Sequence, residues 1–147
     1  MFLQTATTSF KVELLQGVHN FGPTSPDTFK IALYTAAATL DASTTAYGTS
    51  NEVVGAGYTA GGNTLVVSTT PASGNNSSNQ PTAFIGFATT SWAAASFTAR
   101  GALIYNASQG NKSVAVLDFG SDKTVSNNTF QITFPTADAN SAIVRIS

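Results

Sequence analysis

Few residues of this chain could carry out acid–base or nucleophilic chemistry. His19 is the one histidine, and so the one ordinary candidate for a general base beside a nucleophilic serine. Asp118 and Asp122, in the phrase DFGSDK, are a carboxylate pair of the kind that hydrolyses glycosides or holds a calcium ion. The chain contains no cysteine, which excludes thiolate nucleophiles, disulfides and cysteine-ligated metals.

Each of these candidates also has an ordinary structural explanation. We expect His19 to end a short helix and to contact the last carbonyl groups of that helix. The acids around Gly120 are typical of a turn after a strand, with Lys123 as their ionic partner. The run Gly55–Gly62 has neither the Gly-Lys-Ser/Thr of a phosphate loop nor the following helix of a dinucleotide site, so we expect loop geometry. We therefore predict no catalytic residue, no cofactor and no metal ligand.

Flat aromatic side chains offer the remaining ligand-binding chemistry. Tyr34, Tyr47, Tyr58, Tyr105 and Trp92 could form a platform on which a sugar ring stacks. Most of them lie in or beside predicted strands, where packing in the core or an interface is the commoner role of an aromatic ring. Carbohydrate binding is therefore kept as an alternative only.

The elements that must position these residues are mostly β-strands. Phe10, Leu14 and Val18 recur at four-residue spacing and predict one amphipathic helix over residues 9–19, with Ser9 as its N-cap. From Thr28 onward apolar and polar residues alternate, which is the pattern of half-buried strands. Strands are predicted at residues 28–34, 52–54, 65–67, 83–88, 96–105, 113–119, 129–134 and 142–146.

Turn-forming residues separate these strands. Segments 106–111 and 120–128 are rich in Gly, Asn, Ser and Asp, which favour turns. The phrase PASGNNSSNQPT predicts an exposed loop over residues 71–82, and residues 1–8 are predicted to form an N-terminal arm. The whole pattern predicts an all-β fold: one domain over residues 1–147, an antiparallel β-sandwich or jelly-roll-like barrel with one short N-terminal helix.

Charge is scarce in this chain and evenly balanced. Charged residues make up 9% of the 147, against about 25% in an ordinary soluble domain, and the net charge is −1. Because the six basic residues are scattered, we expect no nucleic-acid partner. No apolar run approaches the ~20 residues of a membrane span, and the first residues lack the features of a signal peptide. We expect no membrane partner and no secretion.

Five ordered segments of the sequence resemble a family of short proteins encoded among the virion structural genes of tailed bacteriophages. The likeness runs over most of residues 10–147 and is weakest at residues 1–9 and 71–80. The segments are FKVELLQGVHNF, DTFKIALYTAAATL, NEVVGAGYTAGGNTL, FTARGALIYNAS and VAVLDFGSDK…FQITFP.

The resemblance implies a component of a virion, made in the cytoplasm of the host bacterium, and it implies no catalytic residue. The scarcity of charge fits a protein whose surface is covered in an assembly. We expect a homo-oligomer, a trimer or a dimer, that decorates or cements a capsid through contacts with the major capsid protein. Met1, Phe2 and Leu3 are the candidate assembly contacts, because an apolar arm could reach a neighbouring subunit.

Two other functions remain open. In the first, the same fold serves on the tail as an adaptor, a fibre base or a receptor- or carbohydrate-binding protein, with contacts to tail proteins. In the second, the protein is an enzyme that degrades the cell envelope, in which case His19→Ala or Asp118→Asn abolishes a measurable hydrolysis.

Overall fold

The computed structural model describes residues 1–147 and consists mainly of β-strands. One short α-helix lies near the N-terminus, and a single 3₁₀ turn, Ala107–Gln109, joins the two longest strands. In chain order the elements are β1 Thr5–Ala6, α1 Thr8–Leu15, β2 Phe29–Tyr34, β3 Asn63–Leu65, β4 Val67–Asn75, β5 Pro81–Phe87, β6 Thr90–Asn106, β7 Lys112–Ile132 and β8 Val144–Ile146.

The strands form two antiparallel sheets. The larger has the order β1-β7-β6-β2-β3, and the smaller has the order β4-β5-β8. Both sheets contribute side chains to one apolar core, for example Ile31 of β2, Ile85 of β5 and Val144 of β8. Two sheets that share one core make an all-β sandwich-like fold with one short helix, so the predicted fold class is confirmed.

Helix α1 is shorter than predicted and begins earlier. Thr7, and not Ser9, is the N-cap: its Oγ1 accepts a hydrogen bond from the backbone N–H of Phe10. Thr7 is fully buried and also bonds Ser113 Oγ on β7 at 2.8 Å, so tertiary packing selects the cap. The helix ends at Leu15 because Gly17 adopts the left-handed conformation, with φ of +71°.

The predicted turn over residues 120–128 is wrong, because β7 continues through it without a break. The register against β6 shifts between the pair Gly101–Asp118 and the pair Ala99–Lys123, which leaves a bulge on β7. Gly120, with φ of +78°, supplies the left-handed residue of that bulge. Polar and glycine residues that predict a turn are accommodated here as a kink within one long strand.

Residues 71–82 are largely exposed, as predicted, but they do not form a loop. Most of them belong to the β4–β5 hairpin, in which Ala72 pairs with Phe84 and Asn75 with Pro81. Asn76 closes the turn, because its side-chain oxygen accepts hydrogen bonds from two backbone N–H groups beyond it. A strand without large apolar side chains is possible here because consecutive residues 71–75 are all exposed, so both faces of β4 meet solvent.

Two further strand predictions need correction. Residues 52–54 form no strand, since only Glu52 makes an isolated bridge, to Tyr34. The strand predicted over 129–134 is the end of β7, which stops at Ile132. The long excursion from residue 35 to residue 62 is otherwise irregular. Isolated backbone hydrogen bonds attach it to the large sheet, from Val53 to Leu33, from Ser96 to Ala56 and from Ser113 to Thr45.

Candidate functional site

The N-terminal segment lies on its own chain and is not a free arm. Leu3 donates its backbone N–H to the Leu40 carbonyl at 3.0 Å, and Leu40 donates to the Met1 carbonyl at 2.9 Å. The Met1 ammonium group donates to the Ala38 carbonyl at 2.6 Å. The predicted 1–8 arm is therefore wrong as a description of this chain, because β1 and the start of α1 continue the attachment.

The three candidate assembly contacts occupy different environments. Phe2 is half-buried, and its ring lies so close to Gly101 of β6 that a Cβ there would overlap it. Met1 and Leu3 instead expose 75% and 52% of their surfaces. Phe2 is thus a packing residue of this chain, whereas Met1 and Leu3 present apolar surface that another molecule could cover.

His19 lies in a buried hydrogen-bond network and does not contact the helix carbonyls, so the prediction of a helix-end contact is wrong. Its Nε2 lies 2.6 Å from Oε2 of Glu13, and its Nδ1 lies 3.0 Å from Nδ2 of Asn106. The Asn106 amide also donates to Oδ2 of Asp27 at 2.7 Å. An amide nitrogen only donates, so Nδ1 of His19 accepts and Nε2 carries the proton towards Glu13. Neither ring nitrogen is free to activate a nucleophile.

Asp27 ties this network to the surface. Burial works to raise the pKa of the Asp27 carboxyl, but hydrogen bonds from the Asn106 side chain, the Asn20 backbone and the Gln109 side chain outweigh it and lower the pKa below 3.8. The ionised carboxylate is thus the form that the fold prefers.

Replacing Asp27 by asparagine tests this preference. A lowered folded-state pKa contributes stability above the unfolded value of 3.8, and that stability is lost as the pH falls through the folded pKa. We expect Asp27→Asn to lower the free energy of unfolding by about 1 kcal/mol at neutral pH, since the site is partly exposed. At a pH well below 3.8 the same substitution should cost much less. Urea unfolding of both proteins across this pH range measures the difference. An equal cost at both ends would contradict the assignment.

The structure brings Asp118 and Asp122 together around a basic side chain. Both lie beside one arginine: Arg100 Nε is 3.6 Å from Asp118, and Arg100 Nη1 is 4.0 Å from Asp122. Lys123 forms no ion pair with either acid, contrary to expectation. No three His, Asp or Glu side chains come together as a metal site would require. The calcium and hydrolase hypotheses therefore gain no support from this part of the sheet.

The aromatic residues that could have stacked on sugars are mainly packing residues. Tyr34, Tyr105 and Trp92 are buried, and Tyr47 and Tyr58 are partly buried. Tyr58 packs edge-on against Phe97 and lies 6.2 Å from the Trp92 ring. These rings form no flat exposed platform.

The tyrosines instead surround a buried carboxylate, Glu52, which the sequence analysis did not single out. Its side chain accepts hydrogen bonds from the hydroxyls of Tyr47 at 2.8 Å and Tyr58 at 2.7 Å, and from the backbone N–H of Gly61 at 2.7 Å. The Tyr58 hydroxyl also accepts a hydrogen bond from the backbone N–H of Leu33 on β2. This cluster adds side-chain hydrogen bonds to the backbone bonds that attach the irregular 35–62 excursion to the large sheet. The sequence does carry a signal for this site: Glu52 stands beside two valines, with Tyr47 and Tyr58 on either side.

All four tyrosines of the chain titrate above the ordinary tyrosine value of 10.0. Burial is the main cause and the charge of Glu52 adds to it, so the pKa of Tyr105 rises to about 12. The same two causes raise the pKa of the other three, with a direct hydrogen bond to Glu52 as a further cause at Tyr47 and Tyr58. In the folded protein these hydroxyls remain protonated in mild alkali.

A steep alkaline unfolding follows from these raised values. A raised folded-state pKa gives stability that is complete below the unfolded value of 10.0 and is lost as the pH rises towards the folded value. Each such tyrosine removes up to about 1.4 kcal/mol per pH unit above that point. We expect tyrosinate absorbance and loss of β-sheet circular dichroism to appear together above pH 10. Tyrosinate formation in the intact fold near pH 10 would contradict the cluster.

Apolar side chains remain exposed in several parts of the surface. Leu15 on α1 and Val54 in the excursion expose 92% and 94% of their surfaces. Beside α1, a largely apolar groove of about 300 Å³ lies between the helix and strands β5 and β8. No helix of the structure is long and apolar enough to cross a membrane. On α1 the exposed residues Val12 and Leu15 are three positions apart, so they lie on the same face of the helix.

Comparison with known proteins gives no relative: no family model, no curated protein and no solved structure matches the chain.

Proposed function

We propose that this chain is a structural protein of a bacteriophage virion, and that it decorates or cements the capsid as a homo-oligomer. The observation that carries the assembly role is the surface, which combines few charges with strongly exposed apolar side chains. The large apolar residues that are at least half exposed are Met1, Leu3, Val12, Leu15, Val54, Val66 and Ile146. Such a surface favours association over independent solubility.

The resemblance of the five sequence segments to phage virion proteins supports the same proposal. The side chains that could do chemistry are also consistent with the proposal, because each of them contacts other residues of the same chain. Both ring nitrogens of His19 have partners, and Asp118 and Asp122 share Arg100. A protein whose polar side chains serve its own fold can function by contact alone, with the major capsid protein as its partner.

The copy number of the chain in purified particles tests the proposal. Quantitative mass spectrometry against the major capsid protein is expected to give hundreds of copies, and a particle reconstruction is expected to place them on the shell. Density on the tail or its fibres alone would overturn the capsid location. Absence of the chain from purified particles would overturn the virion role.

The β4–β5 hairpin favours one second candidate, a tail-associated protein that contacts a host receptor. Its turn, residues 76–80, consists of exposed or partly exposed amide and hydroxyl side chains, which suit hydrogen bonding to surface polysaccharide. Under this alternative we expect few copies of the chain in each particle, in a number that matches the rotational symmetry of the tail. We also expect the purified protein to bind host cells, and a variant with a shortened β4–β5 hairpin to lose that binding.

A further inference from the structure

The second half of β7 has a neighbouring strand on one side only. On its outer side, β1 pairs with β7 only at Val116 and Ala115. From Phe119 to Ile132 the backbone hydrogen bonds of β7 all go to β6. A row of backbone donors and acceptors therefore faces outward with no strand to receive it, and such an edge is a template for another strand.

This edge lacks most of the features that protect edge strands. Residues 119–132 contain no proline and a single lysine, Lys123, and most of their side chains are exposed. Two bulges bend the edge, at Gly120 and at Asn127, where side chains satisfy the local N–H groups. The other edges are different: β4 carries Pro71, and β1, β3 and β8 are two or three residues long. The outer side of β6 over residues 90–100 is covered by the 35–62 excursion and the residue that follows it, where Ala56 pairs with Ser96 and the Asn63 amide donates to Thr90 and Ser91.

The apolar side of the same edge is incompletely covered. Phe119, Phe130 and Ile132 are only partly buried, and they line an open cleft of about 410 Å³ at the margin of the core. Val125 is partly buried as well. A strand added at this edge would meet the free backbone groups and cover these side chains at the same time.

We propose that the free edge of β7 pairs antiparallel with the same edge of a second copy, which makes the protein a two-fold dimer. An edge strand is complementary to its own two-fold copy, because antiparallel pairing places each outward N–H opposite an outward carbonyl. Charge is no obstacle, since Asp122 and Lys123 cancel within each copy. Because each copy uses its one free β7 edge in the pairing, the assembly closes at two chains. The dimer deepens the proposed function. The pairing itself rests on the geometry of the β7 edge, whereas the place of the dimer in a particle rests on the proposed function.

The solution mass of the purified full-length chain tests the dimer directly. Sedimentation velocity at about 100 μM is expected to give the mass of two chains. The double variant Ser126→Lys/Thr129→Lys places like charges at exposed positions of the edge and is expected to weaken dimerisation at least about tenfold. The matched control, Ser68→Lys/Thr70→Lys, adds the same charge to exposed positions of β4 and should remain dimeric.

Amide hydrogen exchange supplies a second measurement that does not depend on a variant folding. Outward N–H groups between residues 121 and 132 should gain protection as the protein concentration rises, and those of β4 should not. A monomer with concentration-independent exchange, a trimer, or a dimer dissolved by the β4 control would each overturn the proposal. A monomeric result would leave the virion role standing, whereas absence from particles would leave the dimer standing.

Discussion

Replacing Gly62 by alanine is expected to abolish folding of this protein. A Cβ at Gly62 would overlap the carbonyl oxygen of Ile31 in the middle of β2, where the backbone cannot move without breaking the sheet. Gly62 also has a φ of +71°, which costs an alanine about 1–2 kcal/mol by itself. The overlap adds to that cost, and the total approaches the ~5–15 kcal/mol stability of a whole domain. The measurement is soluble yield, followed by circular dichroism of whatever protein is recovered.

Gly110 is the matched control for Gly62. Its φ of +66° is nearly the same, but a Cβ there would meet nothing within 4 Å. Gly110→Ala should therefore lower the free energy of unfolding only by the backbone strain, about 1–2 kcal/mol, and lower Tm by a few degrees. If the two variants are equally stable, then close approach to β2 is not what requires glycine at position 62.

Replacing Glu52 by alanine is expected to lower the free energy of unfolding by about 3–5 kcal/mol. The change leaves the Tyr47 and Tyr58 hydroxyls and the Gly61 N–H without their acceptor in a largely buried site. It also weakens the attachment of the residue 35–62 excursion to the large sheet, which backbone hydrogen bonds such as those from Val53 to Leu33 and from Ser96 to Ala56 then maintain. Chemical denaturation, with the m-value followed alongside the midpoint, measures the loss.

Glu52→Gln separates the hydrogen bonds from the charge. The amide keeps one oxygen acceptor but introduces an NH₂ group that faces the tyrosine hydroxyls, so we expect an intermediate loss of about 1–3 kcal/mol. The charge-dependent part of the raised tyrosine pKa values should also disappear, so tyrosinate should form at lower pH than in the wild type. An alanine variant as stable as the wild type would mean that water replaces the carboxylate.

Much of the fold was predictable because alternation and turn residues are local signals. β2 lies where the alternation predicted a strand, but it is buried on both faces and not half-buried, because Ala32 and Tyr34 pack in a second apolar cluster. Local signals failed where the tertiary structure offered the backbone another partner. The β4–β5 hairpin and the bulge at Gly120 both hold turn-forming residues in strands, because a neighbouring strand receives their hydrogen bonds.

The site residues were harder to predict, because their roles depend on contacts distant in sequence. His19 is buried beside Asn106, a residue 87 positions away, and this contact decides its tautomer. Phe2 was expected to reach another subunit, yet Gly101 leaves a space for its ring on the same chain. Glu52 drew no attention in the sequence, because a single acid becomes notable only when tyrosines from distant positions enclose it.

The sequence by itself determined the all-β class, the short N-terminal helix and a surface poor in charge, because composition and short-range periodicity are properties of the chain alone. The tertiary structure alone decided which residues are occupied by their own fold and which remain free. It placed Phe2, His19 and Glu52 in packed or hydrogen-bonded sites, and it left the outer edge of β7 without a neighbour. The physical reason is that a hydrogen bond or an apolar contact needs two partners, and only folding determines which distant residues meet.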